Sequence, residues 1–229
     1  MQVVIDSIRQ NLLEQNRWEY IVDGLLVTLK VTFFAVLLGI LIGVVVAMIR
    51  NTYDNTGKLK ILNIICNIYL TIIRGTPVVV QLLIIYFGVF ASVRIDKTIV
   101  AILAFAINSG AYQAEIFRAG IQSVPRGQFE AGRSLGFNYA QTMTIVIIPQ
   151  AFKNVLPTLA NEFIVLLKET SVAGYIALQD MTKAGDVIRS QTYAAFTPLL
   201  VVACIYLILV MGLSYLVSLL ERRLKKNER

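Results

Sequence analysis

Residues 126–151 read RGQFEAGRSLGFNYAQTMTIVIIPQA, a polar, amphipathic island between two apolar stretches long enough to cross a bilayer. From Pro125 to Leu135 the pattern predicts one short helix, with Phe129 and Leu135 as its apolar contacts. Gly136 then permits the positive φ of a sharp corner, which other residues resist. A second helix is expected after the corner, with Asn138 as its N-cap. Pro149 falls inside an otherwise helical pattern and predicts a kink.

The flanks set the class. The chain has 229 residues, 57% of them hydrophobic, and a mean hydropathy of +0.70, well above a soluble domain. Apolar runs fall at about 21–49, 61–91, 98–121, 144–167 and 196–220, each long enough for roughly 30 Å of hydrocarbon at about 1.5 Å per residue. This predicts an all-α integral membrane protein with about five transmembrane helices, residues 20–229 forming one membrane domain. Residues 1–20 do not read as a signal peptide, because Asp6 and Arg9 interrupt them and no positive segment precedes an apolar core. Val4, Ile5, Ile8 and Leu12 recur at helical spacing instead, so residues 1–19 are expected to form an amphipathic helix on the outer surface. Trp18 and Tyr20 would then sit at headgroup level.

The net charge of +7 is unevenly spread. The connections 50–60 and 118–143 with the tail 221–229 hold 11 Lys and Arg, whereas 1–20, 92–97 and 168–195 hold 7 over more residues. Positive charge stays on the cytoplasmic side, so the N-terminus is expected outside, with the 126–149 loop and the C-terminus in the cytoplasm. The stretch 168–195, punctuated by Gly174, Asp180 and Gly185, is too interrupted to span and is read as short helices on the outer face.

Histidine is absent, which removes the commonest general base and zinc ligand. Cys66 and Cys204 lie in apolar runs without metal or disulfide spacing and read as small buried hydrophobes. No nucleophile elbow or phosphate loop is present, so no bond-breaking chemistry and no metal site are expected of this chain.

Polar residues inside the apolar runs are the candidates for a binding site, since charges in hydrocarbon are costly and face protein or water-filled cavities. Arg74-Gly75-Thr76-Pro77 interrupts the second run and predicts a half-broken helix. It lines a cavity, or it is a structural kink with Arg74 reaching for the surface. Asn108, Ser109, Gly110, Gln113 and Glu115 lie in the third run, with Asn108 near the midplane and Glu115 two turns further in. Glu115 can pair with Arg118 three residues on, or face a substrate. Asn161 and Glu162 follow Pro157 late in the fourth run, and Glu162 calls for a cation, either Lys168 or a bound ligand.

The central island resembles the EAA loop of ABC importer permeases, EAA-xxx-G-x9-I-x-L-P, at every spacing, with Glu130-Ala131, Gly136, Val146, Ile148 and Pro149 at the matching positions. The third family alanine is Gly132 here, a departure expected to loosen the first short helix. The RGTP break, NSGAYQAEIFRAGIQSVPRGQ (108–128) and the segment from Leu156 to Leu178 extend the resemblance from about residue 20 to the C-terminus, toward the polar amino acid uptake branch of these permeases. That branch handles histidine, arginine, lysine, glutamine and glutamate.

The resemblance implies a type I importer (MetI-like) permease fold in a bacterial plasma membrane. It implies two ABC ATPase subunits, which carry ATP and magnesium, and a second permease subunit, expected to be identical. An extracytoplasmic amino-acid-binding protein completes the assembly, and no cofactor in this chain and no nucleic acid partner are expected. The loop residues Glu130, Ala131, Arg133, Gly136 and Phe137 would couple to the ATPase. Glu162, Asn108, Ser109, Glu115, Arg74, Gln113 and Asn161 are the candidate substrate contacts. A carboxylate at 162 favours a cationic amino acid such as arginine, histidine or lysine. The rival readings are a permease for glutamine or glutamate and, from another class, a passive channel subunit.

Overall fold

A computed structural model describes residues 9–226 of the chain, and among these every regular element is helical. The elements are α1 (Trp18–Thr56), α2 (Lys60–Gly75), α3 (Val78–Ile84), α4 (Lys97–Gln122), α5 (Arg126–Ser134), α6 (Tyr139–Gln141), α7 (Ile148–Glu169), α8 (Met181–Thr192) and α9 (Thr197–Lys226). Helix α1 runs 39 residues without an interior breaker and stops at Gly57, whose φ of +68° lets its N–H reach back to the Tyr53 carbonyl. Helix α4 starts where Asp96 Oδ1 accepts the N–H of Thr98 at 2.7 Å, an N-cap.

Four helices are long and apolar enough to cross a membrane, and the pair α2 and α3 makes a fifth crossing if its two arms count as one. The packing shows that they do. Helices α1 and α4 lie side by side and run in the same direction: Gly39 faces Gly110, and Gly43 faces Ala114. The chain leaves α1 at one end of this pair and enters α4 at the other, so residues 57–96 recross the layer. Helix α7 runs the opposite way, with Val155 against Gly120 near one end and Leu166 in one core cluster with Phe105 near the other. Helix α9 begins beside the start of α1, where Val202 and Ile21 share one core cluster.

The contact between α1 and α4 depends on small residues. A Cβ on Gly39 would come within 3.0 Å of Gln113 Nε2, one on Gly43 within 2.9 Å of Gln113 Cβ, and one on Gly110 within 2.8 Å of Ile42 Cγ2. Gly39 and Gly43 form a GxxxG pair, which lets two backbones approach closely where the hydrophobic effect offers no drive between helices. Helix α4 is accordingly the central one, with 61% of its apolar window buried, whereas only 6% of the window of α9 is buried. Most of α9 therefore shows lipid-like side chains such as Leu207, Ile208, Met211 and Leu216 to the outside.

Two expectations need correction, the N-terminal helix and Cys204. The half-broken helix expected at Arg74–Pro77 is present and sharp: α2 and the Val78–Val89 arm turn by 111° between Gly75 and Val78. Pro77 cannot continue the helix, and its ψ of 137° with the extended Thr76 redirects the chain. Val4, Ile5 and Ile8 lie outside the described residues, but Arg9–Leu13 and Glu14–Asn16 are short π and 3-10 turns, broken where Gln15 and Asn16 take positive φ. Leu12 is buried with Ile21, Met181, Ile188 and Val202, so this residue packs among α1, α8 and α9. Cys66 is buried as expected, but Cys204 is exposed on the outward face of α9.

The interrupted stretch 168–195 forms short helices, a 3-10 segment Thr170–Ile176 and α8. The N-terminus of α8 abuts α1, where a Cβ on Gly24 would be 2.7 Å from the Asp180 carbonyl oxygen and Met181 N–H bonds Thr28 Oγ1 at 3.2 Å. Asp180 caps α8 by accepting from Thr182 and Lys183 N–H, while its burial pushes the carboxyl above the usual aspartate range.

Candidate functional site

Pro77 has no N–H to give the Ile73 carbonyl, one helical turn back. The Gln81 side chain fills that role: its Nε2 donates to Ile73 O at 2.7 Å, Thr76 O at 3.0 Å and Thr76 Oγ1 at 2.8 Å. Asn108 on α4 donates its Nδ2 to Gln81 Oε1 at 2.9 Å and holds the amide in that orientation. The break is thus tied to the central helix, in keeping with the rule that freed backbone groups at membrane depth are satisfied by protein.

This break sets Arg74 on the wall of a cleft of about 500 Å³ between α4 and α7, lined also by Tyr112, Glu115, Asn154, Thr158 and Glu162. The Arg74 guanidinium lies 5.8 Å from the centre of the Tyr112 ring and 3.7 Å from Glu115 Oε1. Glu115 also takes Arg50 from the end of α1 and Arg118 at 3.3 Å. The expected Glu115–Arg118 pair is therefore part of a larger cluster, three guanidiniums around one carboxylate. Arg74 is both a wall of the cleft and a member of that cluster.

Glu162 lines the same cleft, half-buried. Among the described residues no Lys or Arg lies within ion-pair distance of it. Lys168, one of the two cations considered for it, lines a separate cleft with Ser171, Thr182 and Tyr206 at the other end of α7. Asn161 is exposed on the side of α7 that does not line the Glu162 cleft. Asn108 and Gln113 are at most 2% exposed and hydrogen-bonded inside the bundle, Gln113 Nε2 donating to Ser109 Oγ at 2.8 Å. These two amides stabilise the α1–α4–α3 packing and do not line the cleft.

The loop folds as two short helices around a corner. Helix α5 ends at Ser134, Gly136 has φ +85°, and Asn138 caps α6 in a reciprocal capping box with Gln141. A run of π turns, Thr142–Ile147, then leads into α7 with Pro149 in its first turn, where a missing N–H costs little. Pro149 therefore marks a widened turn in one 38-residue span, Tyr139–Ile176, and not a break. Gly132 does not loosen α5. A Cβ there would fall 2.7 Å from Thr142 Cγ2, so glycine lets the buried Thr142 seat against α5 and locks the two helices together. Glu130, Ala131, Arg133 and Gly136 are exposed, Leu135 is 74% exposed, and Phe137 is half-buried.

Reading the residues missed Arg50, Gln81 and Tyr139. Gln81 carried a usable sign, a lone amide four residues after a proline in an apolar run. Arg50 and Tyr139 looked like ordinary residues at helix ends, and only their partners make them part of the site.

Comparison with known proteins agrees with this architecture. A family model described as "Binding-protein-dependent transport system inner membrane component" matches residues 35–226. The arginine transport system permease protein ArtQ of Bacillus subtilis is 35% identical over 211 residues, covering 91% of this chain and 94% of that one. A protein of Rickettsia typhi, provisionally named as the glutamine transport system permease GlnP, is 38% identical over 210 residues, covering 91% and 94%. Among solved structures, an amino acid ABC transporter crystallised with histidines is similar with a TM-score of 0.83 and 45% identity, covering 90% of this chain and 94% of that one. The methionine transporter MetNI in an inward-facing form shares the fold, with a TM-score of 0.73 at 20% identity, covering 92% and 98%. The chain thus belongs to the binding-protein-dependent transport system inner membrane components, as a type I ABC importer permease whose relatives serve polar amino acids.

Proposed function

We propose that this chain is the translocation subunit of an importer for cationic amino acids, arginine, histidine or lysine, and that Glu162 selects the charge. The observation that carries this is a carboxylate lining the cleft with no cation in ion-pair distance among the described residues, in a cleft that Arg74 also lines. A carboxylate in a poorly hydrated site seeks a positive partner, and a bidentate guanidinium satisfies both its oxygens. Arg74, lining the same cleft, suits the substrate's own carboxylate.

In this reading two copies of the permease and two ATPase subunits form the importer. An extracytoplasmic binding protein delivers the amino acid to the end formed by the Thr170–Ile176 turn and α8. The N-terminus is outside, and the C-terminus and the 126–149 loop are in the cytoplasm. ATP is hydrolysed on the partner subunit, whose closure moves the loop and opens the cleft alternately to the two sides. Substrate and ATP each act by favouring one of the two states.

A second reading, glutamine import, is favoured by the Rickettsia relative's name at 38% identity. The ratio of arginine to glutamine uptake into vesicles carrying the whole importer separates the two. Glu162→Gln keeps shape and hydrogen bonding but removes the charge. A charged hydrogen bond is worth about 1.5–3 kcal/mol, so the arginine-to-glutamine ratio should fall roughly 10- to 100-fold. An unchanged ratio in an assembled, ATP-hydrolysing variant makes Glu162 a structural carboxylate and leaves glutamine as the reading.

A further inference from the structure

A polar contact joins the 126–149 loop to α1. Asn51, near the end of α1, donates its Nδ2 to the hydroxyl of Tyr139 at 3.1 Å. Asn51 is itself held: Asn55 Nδ2 donates to its carbonyl at 2.7 Å and its Oδ1 at 3.1 Å, and its side chain is nearly buried. The Tyr139 ring stacks on Phe129 of α5 with centroids 6.4 Å apart and planes at 23°. With Gly132 seated on Thr142, α5 and α6 form a single unit, and Tyr139 is its handle on α1. Among the described residues no other hydrogen bond or ion pair joins residues 126–138 or the backbone of α6 to α1. The residue before Asn51 is Arg50, whose guanidinium holds Glu115 in the cluster that includes Arg74 on the cleft wall.

We propose that Tyr139 and Asn51 form a strut that transmits movement of the loop to α1, and through Arg50 to the cleft. Two adjacent residues on a rigid helix cannot move independently. A shift of Tyr139 therefore displaces Arg50 along with Asn51 and repositions the charge cluster at that end of the cleft. The other ties between loop and cleft run along α4 and α7, which pack on α1 through side-chain contact, and this hydrogen bond adds a direct polar link from the loop to the residue next to Arg50. The strut rests on the importer reading but not on the identity of the amino acid. Tyr139 and Asn51 are positioning residues that touch neither substrate nor ATP.

The test uses the complete importer, permease with its ATPase and binding protein, in lipid vesicles. A reporter cysteine is placed at the cleft by Thr158→Cys in a permease carrying Cys66→Ala and Cys204→Ala, and its labelling rate by a small water-soluble maleimide is read without nucleotide and after trapping with ATP and vanadate. This readout needs no transported substrate, so a wrong choice of amino acid shows up separately, as absent uptake of arginine and glutamine. In the reporter background the labelling rate should differ between the two states. Tyr139→Phe, which keeps the ring stack and removes one oxygen, should shrink that difference by roughly two- to thirty-fold, the span of a single coupling residue. Asn51→Leu should do the same, and the double variant should be no worse than either single one. Asn51→Asp should retain the difference, because its carboxylate accepts from the tyrosine O–H.

A full nucleotide-dependent difference in Tyr139→Phe overturns the strut, as do additive losses in the double variant. Failure of Tyr139→Phe to copurify with the ATPase also overturns it, since that marks a role in assembly. A reporter that never responds to nucleotide in the unaltered importer overturns it equally.

Discussion

Replacing Gln81 by methionine tests whether the break at Pro77 is held by the bonds described. Methionine matches glutamine in length and flexibility but neither donates nor accepts with comparable strength. The change removes three donated bonds, to Ile73 O, Thr76 O and Thr76 Oγ1, and the one accepted from Asn108. Thr76 Oγ1 keeps its bond to the Ile72 carbonyl at 2.8 Å, so three groups lose these partners: two backbone carbonyls and the Asn108 amide. An orphaned buried group costs about 1–3 kcal/mol in water-soluble proteins, whereas polar contacts within membranes average about 0.6. Because Thr76 is exposed and Ile73 only half-buried, each group is taken near the low end, at about 0.6–1.3 kcal/mol, so the three together give about 2–4 kcal/mol. At about 2–4 °C per kcal/mol for a chain of this size, the melting midpoint should fall on the order of 5–15 °C. The measurement is a thermal melt of the detergent-solubilised permease–ATPase complex followed by size exclusion. Asn108→Leu alone should cost less, and combining it with Gln81→Met should add little, because the two share one bond. A midpoint within about 1 °C of the unaltered complex refutes the reasoning.

Two further predictions concern the loop and the cleft, beyond those on Glu162 and on the Tyr139–Asn51 strut. Gly136→Val forces a β-branched residue to φ near +85°, where L side chains are strained by about 1–2 kcal/mol, and should abolish ATPase stimulation while leaving membrane insertion intact. Stimulated hydrolysis and copurification of the ATPase check this, and normal stimulation argues against the corner as a docking element. Arg74→Ala leaves Arg50 and Arg118 to hold Glu115, so assembly should survive while uptake is lost, read as initial transport rate against amount of complex. Unaltered uptake kinetics would make Arg74 a surface-seeking residue at a structural kink.

What the sequence determined by itself was everything set by local chemistry and by length. Five apolar runs at membrane length dictate five crossings, because no other solution satisfies the backbone in hydrocarbon. Gly136 and the Asn138 N-cap fold the loop from contacts within four residues, and both stand in the structure where the pattern put them, with Gln141 completing a capping box that the structure added. Pro77 announced a break in its own run. The tertiary structure decided how those pieces meet. Glu115 was visible beside Arg118, three residues away, but Arg50 reaches it from 65 residues off and Tyr139 meets Asn51 across 88. The 111° turn at the Pro77 break, and the Gln81–Asn108 pair that ties it to α4 across 27 residues, belong to the tertiary structure. Polar side chains in apolar runs look alike in sequence, since each must find a partner. Asn108 and Gln113 found theirs inside the bundle, and Glu162 stands at the cleft without a cation. Only the packing of α1, α4 and α7 separates these outcomes, because a hydrogen-bond partner distant in sequence leaves no trace in local pattern.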